Sequence, residues 1–330
     1  MKSTVLIAIG GNALIRANEP ATVGTERTHV AETCRAIADV VSHGWRVVIT
    51  HGNGPQVGAA LLRSERAAGE AYPLPLDVCG ACTQGEIGLL LQQALAEALE
   101  AKGIHRPVAT VLGQVVVDSS DPGFTRPTKP IGPFYSHAAM AAHQALGWTM
   151  VEEPPHGWRR VVASPEPREV VEEAVIRTLV QADVVVITLG GGGVPVVRSG
   201  RRLASVEAVV DKDLASALLA TRLHVDRLVL ATDVDRIYLE FGTPNARGLD
   251  DVTTEELRRY AAAGHFPAGN MGPKVEAALR FLDAGGEEAI VTSCDRLGLA
   301  LQGRAGTRVF LAAHAASENR APVRPRQMVR

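Results

Sequence analysis

The sequence predicts an α/β fold: a three-layer α/β/α arrangement with an open, mainly parallel sheet between two layers of helices and a small subdomain protruding from it. Two observations carry this reading. Short apolar runs alternate with segments of helical period along most of the chain. Two of those runs end in Gly/Asn loops that open into helices, and parallel sheets bind their ligands beyond such strand ends.

Strands are expected at 4–9, 45–50, 108–117, 184–189, 227–231 and 288–292. Helices are expected at 25–43, 57–69, 83–102, 165–182, 213–221, 254–263 and 273–284. Thr83 with Glu86, and Thr253 with Glu256, have the spacing of capping boxes. Ser164-Pro165 reads as an N-cap followed by proline at the first helical position. Gly44, Gly103 and Gly264 stand where helices stop. Residues 118–167 break the rhythm, being dense in Pro, Gly and aromatics. A long irregular stretch of this kind is usually functional. It is read as an inserted set of hairpins, with a lid preferred over an interaction surface. Residues 315–330 are polar and rich in Pro and Arg, and are expected to form a disordered tail.

Composition excludes several classes. The chain has 330 residues, 46% of them hydrophobic, enough for one large α/β domain or two lobes. Its net charge of -2, with no block of Lys or Arg in the body, gives no footprint for nucleic acid. No apolar run approaches the roughly 18 residues of a membrane span. The run after Lys2 breaks at Gly10-Gly11, so a signal peptide is rejected. Four cysteines are too few for a disulfide scaffold, and a cytoplasmic location is expected. Cys79 and Cys82 have C-x-x-C spacing; the preferred reading is two small residues just before a helix, the other a redox pair.

The segment THGNGPQVG at 50–58 is the most informative. It follows an apolar strand, and Pro55 suits the first turn of the next helix. Such a loop bares backbone N–H groups to an anion, and the helix start adds about half a positive charge. TVLIAI running into Gly10, Gly11 and Asn12 repeats the pattern, so one phosphorylated ligand gripped from two sides is expected.

Three lysines stand out. Lys212 and Lys274 each fall in the first turn of an expected helix, where a cation opposes the dipole by roughly 0.3–1 kcal/mol unless both share an anion. Lys129 lies between Pro127 and Pro130 in the insertion. Asp213 either orients two ammonium groups or simply favours a helix start. Asp233 and Asp235 end a strand, facing a nucleotide or capping the turn. Gly190 to Gly193 admit a phosphate or another backbone. His51 adjoins the first loop and is read as structural. P-loop, dinucleotide, hydrolase-elbow and zinc spacings are all missing, and no residue is singled out as a metal ligand.

These segments together resemble the carbamate kinases of the amino acid kinase family. The resemblance runs through AIGGNAL (8–14), THGNGPQVG (50–58), PLDVCGACTQGEIG (75–88), PTKPIGPFY (127–135), WRRVVASPEP (158–167), GGGGVPV (190–196), VVDKDLASALLA (209–220) and FPAGNMGPKVEAALRF (266–281). PTKPIG within an insertion points to this group rather than to acetylglutamate, aspartate or uridylate kinases. The resemblance implies a homodimer whose N-terminal lobe, 1–212, holds carbamate or carbamoyl phosphate, with 118–167 as the lid. The C-terminal lobe, 213–314, would hold ATP or ADP. Lys129, Lys212 and Lys274 match lysines around the transferred phosphoryl group, and Asp213 the carboxylate that holds them. Gly10, Gly11, Asn12, Gly52, Asn53 and Gly54 match the loops for carbamoyl phosphate. Asp233, Tyr238, Gly269 and Met271 fall in the nucleotide region. The implied activity is reversible phosphoryl transfer between carbamoyl phosphate and ADP, with Mg²⁺ carried mainly by nucleotide phosphates, in the breakdown of arginine or other sources of carbamoyl phosphate. Alternatives are a kinase of another small acid, a carbamoyl phosphate synthesising enzyme, a non-catalytic nucleotide binder or a redox protein. Cys82-Thr83 departs from the family's usual Met-Ser, and Asn270 from its common Ser.

Overall fold

The computed structural model describes residues 2–11, 14–15, 19, 22–267, 269 and 271–312. Asn12, Asn270 and the tail at 315–330 lie outside the described residues.

The chain opens with β1 (Thr4–Ile9), α1 (Val23–Ser42), β2 (Arg46–His51), α2 (Gly54–Arg66), α3 (Leu76–Glu100) and β3 (Val108–Val111). There follow β4 (Gln114–Val116), β5 (Lys129–Tyr135), α4 (His137–Ala145), β6 (Thr149–Glu153), β7 (Gly157–Val162), β8 (Glu169–Val170) and α5 (Glu173–Gln181). Next come β9 (Val185–Thr188), β10 (Val194–Ser199), β11 (Arg202–Ser205), α6 (Lys212–Leu223), β12 (Arg227–Thr232), β13 (Tyr238–Leu239) and β14 (Arg247–Gly248). The last elements are β15 (Asp251–Thr253), α7 (Thr254–Ala262), α8 (Met271–Asp283), β16 (Glu288–Ser293), α9 (Leu297–Leu301) and β17 (Thr307–Phe310).

The central sheet has eight strands in the order β15-β17-β16-β12-β1-β2-β9-β3, and every pairing except β16 with β17 is parallel. Side chains of β1 alternate between its faces, as a strand's period of two requires. Leu6 and Ala8 enter one core with residues of α5, α6 and α8. Val5, Ile7 and Ile9 enter the other with residues of α1 and α3. Burial on both sides explains why this strand reads as an unbroken apolar run. No helix among the described residues is long and apolar enough to cross a membrane.

Several expectations require correction. The run at 108–117 is two strands: β3 joins the central sheet, and β4 joins a second, four-stranded sheet. The break falls at Gly113, where a Cβ would lie 2.5 Å from the Leu189 side chain. Helix α3 begins at Leu76, not at 83, so Thr83 is no cap; its hydroxyl donates to the Gly80 carbonyl at 2.7 Å. Cys79 and Cys82 therefore lie inside a helix rather than before it. Ser164-Pro165 starts no helix, because the chain first runs through β8 and only then into α5. The Thr253–Glu256 capping box is present, and Gly44, Gly103 and Gly264 have left-handed φ of 91°, 68° and 82°.

Residues 118–167 contain antiparallel strands, as the hairpin reading expects, and also a helix that their composition did not announce. β5, β7 and β6 form an antiparallel three-stranded sheet, with α4 connecting β5 to β6. Its root is stitched to the body by backbone. Val209 N–H donates to the Ala163 carbonyl at 2.9 Å. Its far end touches α2 through side chains, where the Tyr135 hydroxyl donates to Glu65 at 3.1 Å and His143 lies 3.2 Å from the same carboxylate.

Candidate active site

Strand register brings the two glycine loops together. Ile9 stands opposite His51, so Gly10-Gly11 and Gly52-Asn53-Gly54 leave the sheet side by side. Gly52 N–H donates to the Ile9 carbonyl at 3.0 Å, and a Cβ on Gly52 would come within 3.1 Å of Gly11 N. Asn53 stands at the N-cap of α2 but makes no side-chain cap bond. Its amide donates instead to the Thr83 hydroxyl at 2.8 Å, which leaves the first N–H groups of α2 without a side-chain acceptor from it.

The run Gly190–Gly193 is a spacer. A Cβ on Gly190 would lie 2.3 Å from His51, one on Gly191 2.3 Å from Asn53, and one on Gly192 2.3 Å from the Val210 carbonyl. The bare backbone thus packs the second loop against the segment entering α6. His51 is buried, and its Nδ1 donates to the Gly52 carbonyl at 2.9 Å. Burial pulls its pKa down to about 4, so the ring is neutral at pH 7.

Helices α6 and α8 present their first turns to the same place. Lys212 is the first residue of α6, and Lys274 the fourth of α8, just after Pro273. Lys274 Nζ donates to Asp213 Oδ2 at 3.0 Å. Lys212 Nζ lies 2.8 Å from Asp213 Oδ1, at an angle too poor for a hydrogen bond. The Lys212 ammonium therefore has a compensating charge but no directed acceptor among the described residues. Asp213 is 4% exposed. Burial raises its pKa, but the charges of the two lysines beside it outweigh burial and hold it at about 2. Burial also pulls the Lys212 ammonium below the usual lysine range, against the opposing pull of Asp213. Of the two readings for Asp213, the geometry favours the one in which it orients two ammonium groups.

Lys129, the first residue of β5, reaches the same helix start, donating to Asp211 Oδ2 at 2.8 Å. Asp211 was missed in the sequence. Its signal was there: an acid immediately before the first helical residue is an N-cap candidate. Its other oxygen accepts from the N–H groups of Asp213 at 2.9 Å and Leu214 at 3.4 Å.

Beyond β12 lies a cavity of about 430 Å³ lined by Asp233, Tyr238, Phe241, His265, Pro267 and Met271, among others. That volume suits a small-molecule ligand. Met271 opens α8, so the cavity and Lys274 share one helical turn. Gly269 lies between Pro267 and Met271 with a φ of 91°. The Tyr238 hydroxyl donates to Asp235 at 2.7 Å, so Asp235 serves the ring beside the cavity. Cys79, by contrast, is buried, and burial pushes its thiol up, away from the thiolate a redox pair needs.

A sequence profile of the amino acid kinase family matches residues 3–293. The chain belongs to that family and is by membership a kinase. A carbamate kinase of Thermococcus kodakarensis is 46% identical over 92% of this chain and 98% of its own length. One from Pyrococcus furiosus is 45% identical over 94% and 100%. Among solved structures, the carbamate kinase of Giardia lamblia bound to AMP-PNP is 41% identical, with a TM-score of 0.89 over 94% of this chain and 98% of its own. Within the family, the chain groups with the carbamate kinases.

Proposed function

We propose that the chain catalyses reversible phosphoryl transfer between carbamoyl phosphate and ADP, giving ATP and carbamate, which then falls apart to ammonia and carbon dioxide. The observation that carries this reading is Asp213 holding Lys212 and Lys274 where two helix starts meet. The glycine loops leave the same strand ends, and the cavity shares the first turn of α8. In the ATP-forming direction an oxygen of the ADP β-phosphate attacks phosphorus. The bond from phosphorus to the carbamate oxygen breaks, and its electron pair stays on that oxygen. No proton moves, so no general base is needed, and a neutral His51 is no obstacle. Catalysis rests on in-line positioning and on neutralising charge around the transferring group. Lys212 and Lys274 supply positive charge at fixed points. Gly10, Gly11 and Gly54 offer backbone N–H groups to the carbamoyl phosphate end, while Gly52, its own N–H held by Ile9, lets the two loops approach closely. Asp233, Tyr238, Gly269 and Met271 are assigned to the nucleotide.

Magnesium enters with the nucleotide as part of the substrate. Both oxygens of Asp213 already face ammonium groups. Among the described residues no cluster of three or more His, Cys, Asp or Glu side chains is arranged to hold a metal ion. Nucleotide phosphates and water supply its ligands.

On this reading 1–212 and 213–314 are the two lobes, residues 118–167 are the lid, and the working form is a homodimer. Purified protein mixed with ADP, Mg²⁺ and carbamoyl phosphate should form ATP. Bound ADP without ATP formation would overturn the proposal and turn the search to other small acids with ATP.

A further inference from the structure

Asp211 engages both of its oxygens. Oδ1 caps α6 through the N–H groups of Asp213 and Leu214, and Oδ2 accepts from Lys129 at 2.8 Å. The two bonds have different origins. The first is local to the helix, whereas the second spans 82 positions and joins the inserted sheet to the body. We propose that Asp211 is a positioning residue for phosphoryl transfer, acting through Lys129.

The argument is one of freedom and charge. A lysine ammonium sits on a flexible four-carbon stem and is strongly hydrated, so without an anchor it has no fixed position. Lys129 is partly exposed, with 32% of its side-chain surface accessible. Asp211 is a stiff anchor because its carboxylate is itself tied to two backbone donors at the start of a helix. A group held by a supporting shell in this way keeps the geometry that catalysis needs. The charge count agrees. Lys129, Lys212 and Lys274 bring three positive charges and Asp211 and Asp213 two negative ones, leaving one positive charge and a helix N-terminus for the transferring anion. Lys129 is thus set on the same turn of α6 as Lys212, rather than left to range over the mouth of the site.

The inference rests on the phosphoryl-transfer reading, and Asp211→Asn separates it from a plain capping role. Asparagine caps a helix about as well as aspartate, but it removes the charge that holds the ammonium. The unfolding midpoint should stay near that of the unaltered protein, while kcat for ATP formation falls at least tenfold. Made in a Lys129→Ala background, the same change should alter kcat less than twofold, because its only route is already gone. Asp211→Ser, which also caps but is short and uncharged, gives the same comparison if the asparagine protein folds poorly. Turnover within twofold of the unaltered protein would reduce Asp211 to a cap and overturn the inference. So would losses that simply multiply in the double variant. Absence of turnover in the unaltered protein would strike the phosphoryl-transfer reading itself.

Discussion

The ammonium of Lys274 donates to the carboxylate of Asp213 at 3.0 Å, joining the first turn of α8 to the first turn of α6. Both lysines on this carboxylate stand where a helix dipole disfavours a cation. One buried acid reconciles them.

Asp213→Asn should therefore damage stability as well as activity. It leaves two ammonium groups at a largely buried position without their counter-charge. Breaking a buried ion pair on one side typically costs about 3–5 kcal/mol. Urea unfolding should show a loss of that order, with turnover nearly abolished. An unchanged midpoint would mean that the lysines find other partners.

Lys212→Ala and Lys274→Ala should each lower turnover at least about 100-fold, the scale of one well-placed charge stabiliser in the transition state. Each leaves Asp213 with one lysine, so the fold should survive. Circular dichroism and steady-state rates check both halves of the statement. Near-normal turnover in either variant would remove that lysine from the mechanism.

His51 should make the protein acid-sensitive. Its pKa is about 4 when folded against an ordinary value of 6.5. Between those values the unfolded chain binds a proton that the folded chain refuses, so stability falls as pH falls. The contribution is complete above pH 6.5 and declines by up to about 3 kcal/mol on the way to pH 4. Denaturant unfolding across this range should show the slope, and His51→Gln should flatten it. An equal slope in both proteins would place the acid sensitivity elsewhere.

Gly192→Ala should cost more than Gly200→Ala, although both glycines have positive φ, 92° and 58°. A new Cβ at Gly200 meets open space, so only the left-handed conformation is penalised, by about 1–2 kcal/mol. At Gly192 it would also lie 2.3 Å from the Val210 carbonyl, just before the residue that caps α6. Turnover should suffer along with stability there. Equal effects of the two changes would show that the α6 entry yields without consequence.

Much of this was legible in the sequence because it is local. Strand β1 and both glycine loops are contiguous, and their meeting follows from placing β1 beside β2. Lys212 and Lys274 were marked by helix position alone. What escaped was set by distant partners. The Lys129–Asp211 bond gives no sequence signal at its separation. Helix α3 begins seven residues early because burial of Leu76 and Cys79 outweighs the weak helical signal of Cys79-Gly80-Ala81-Cys82. The turn at Gly113 answers to Leu189, a side chain just past the end of β9. Nothing in the composition of the insertion announced α4, whose sequence HAAMAAHQA is hidden between runs of proline and aromatics.

Two of the insertion's attachments differ in kind. At the root, Ala163 pairs with Ala208 through the bond from Val209 N–H to the Ala163 carbonyl, which of all substitutions only proline at 209 would remove. At the far end, Tyr135 and His143 hold one carboxylate, Glu65, which a single codon can change. Between the two, Ile131 and Val162 are buried against Val57, Leu76 and Cys79, which seats the sheet on α2 and α3. The strand that carries Lys129 is thus gripped along its length, and losing Glu65 would loosen its far end before its near one.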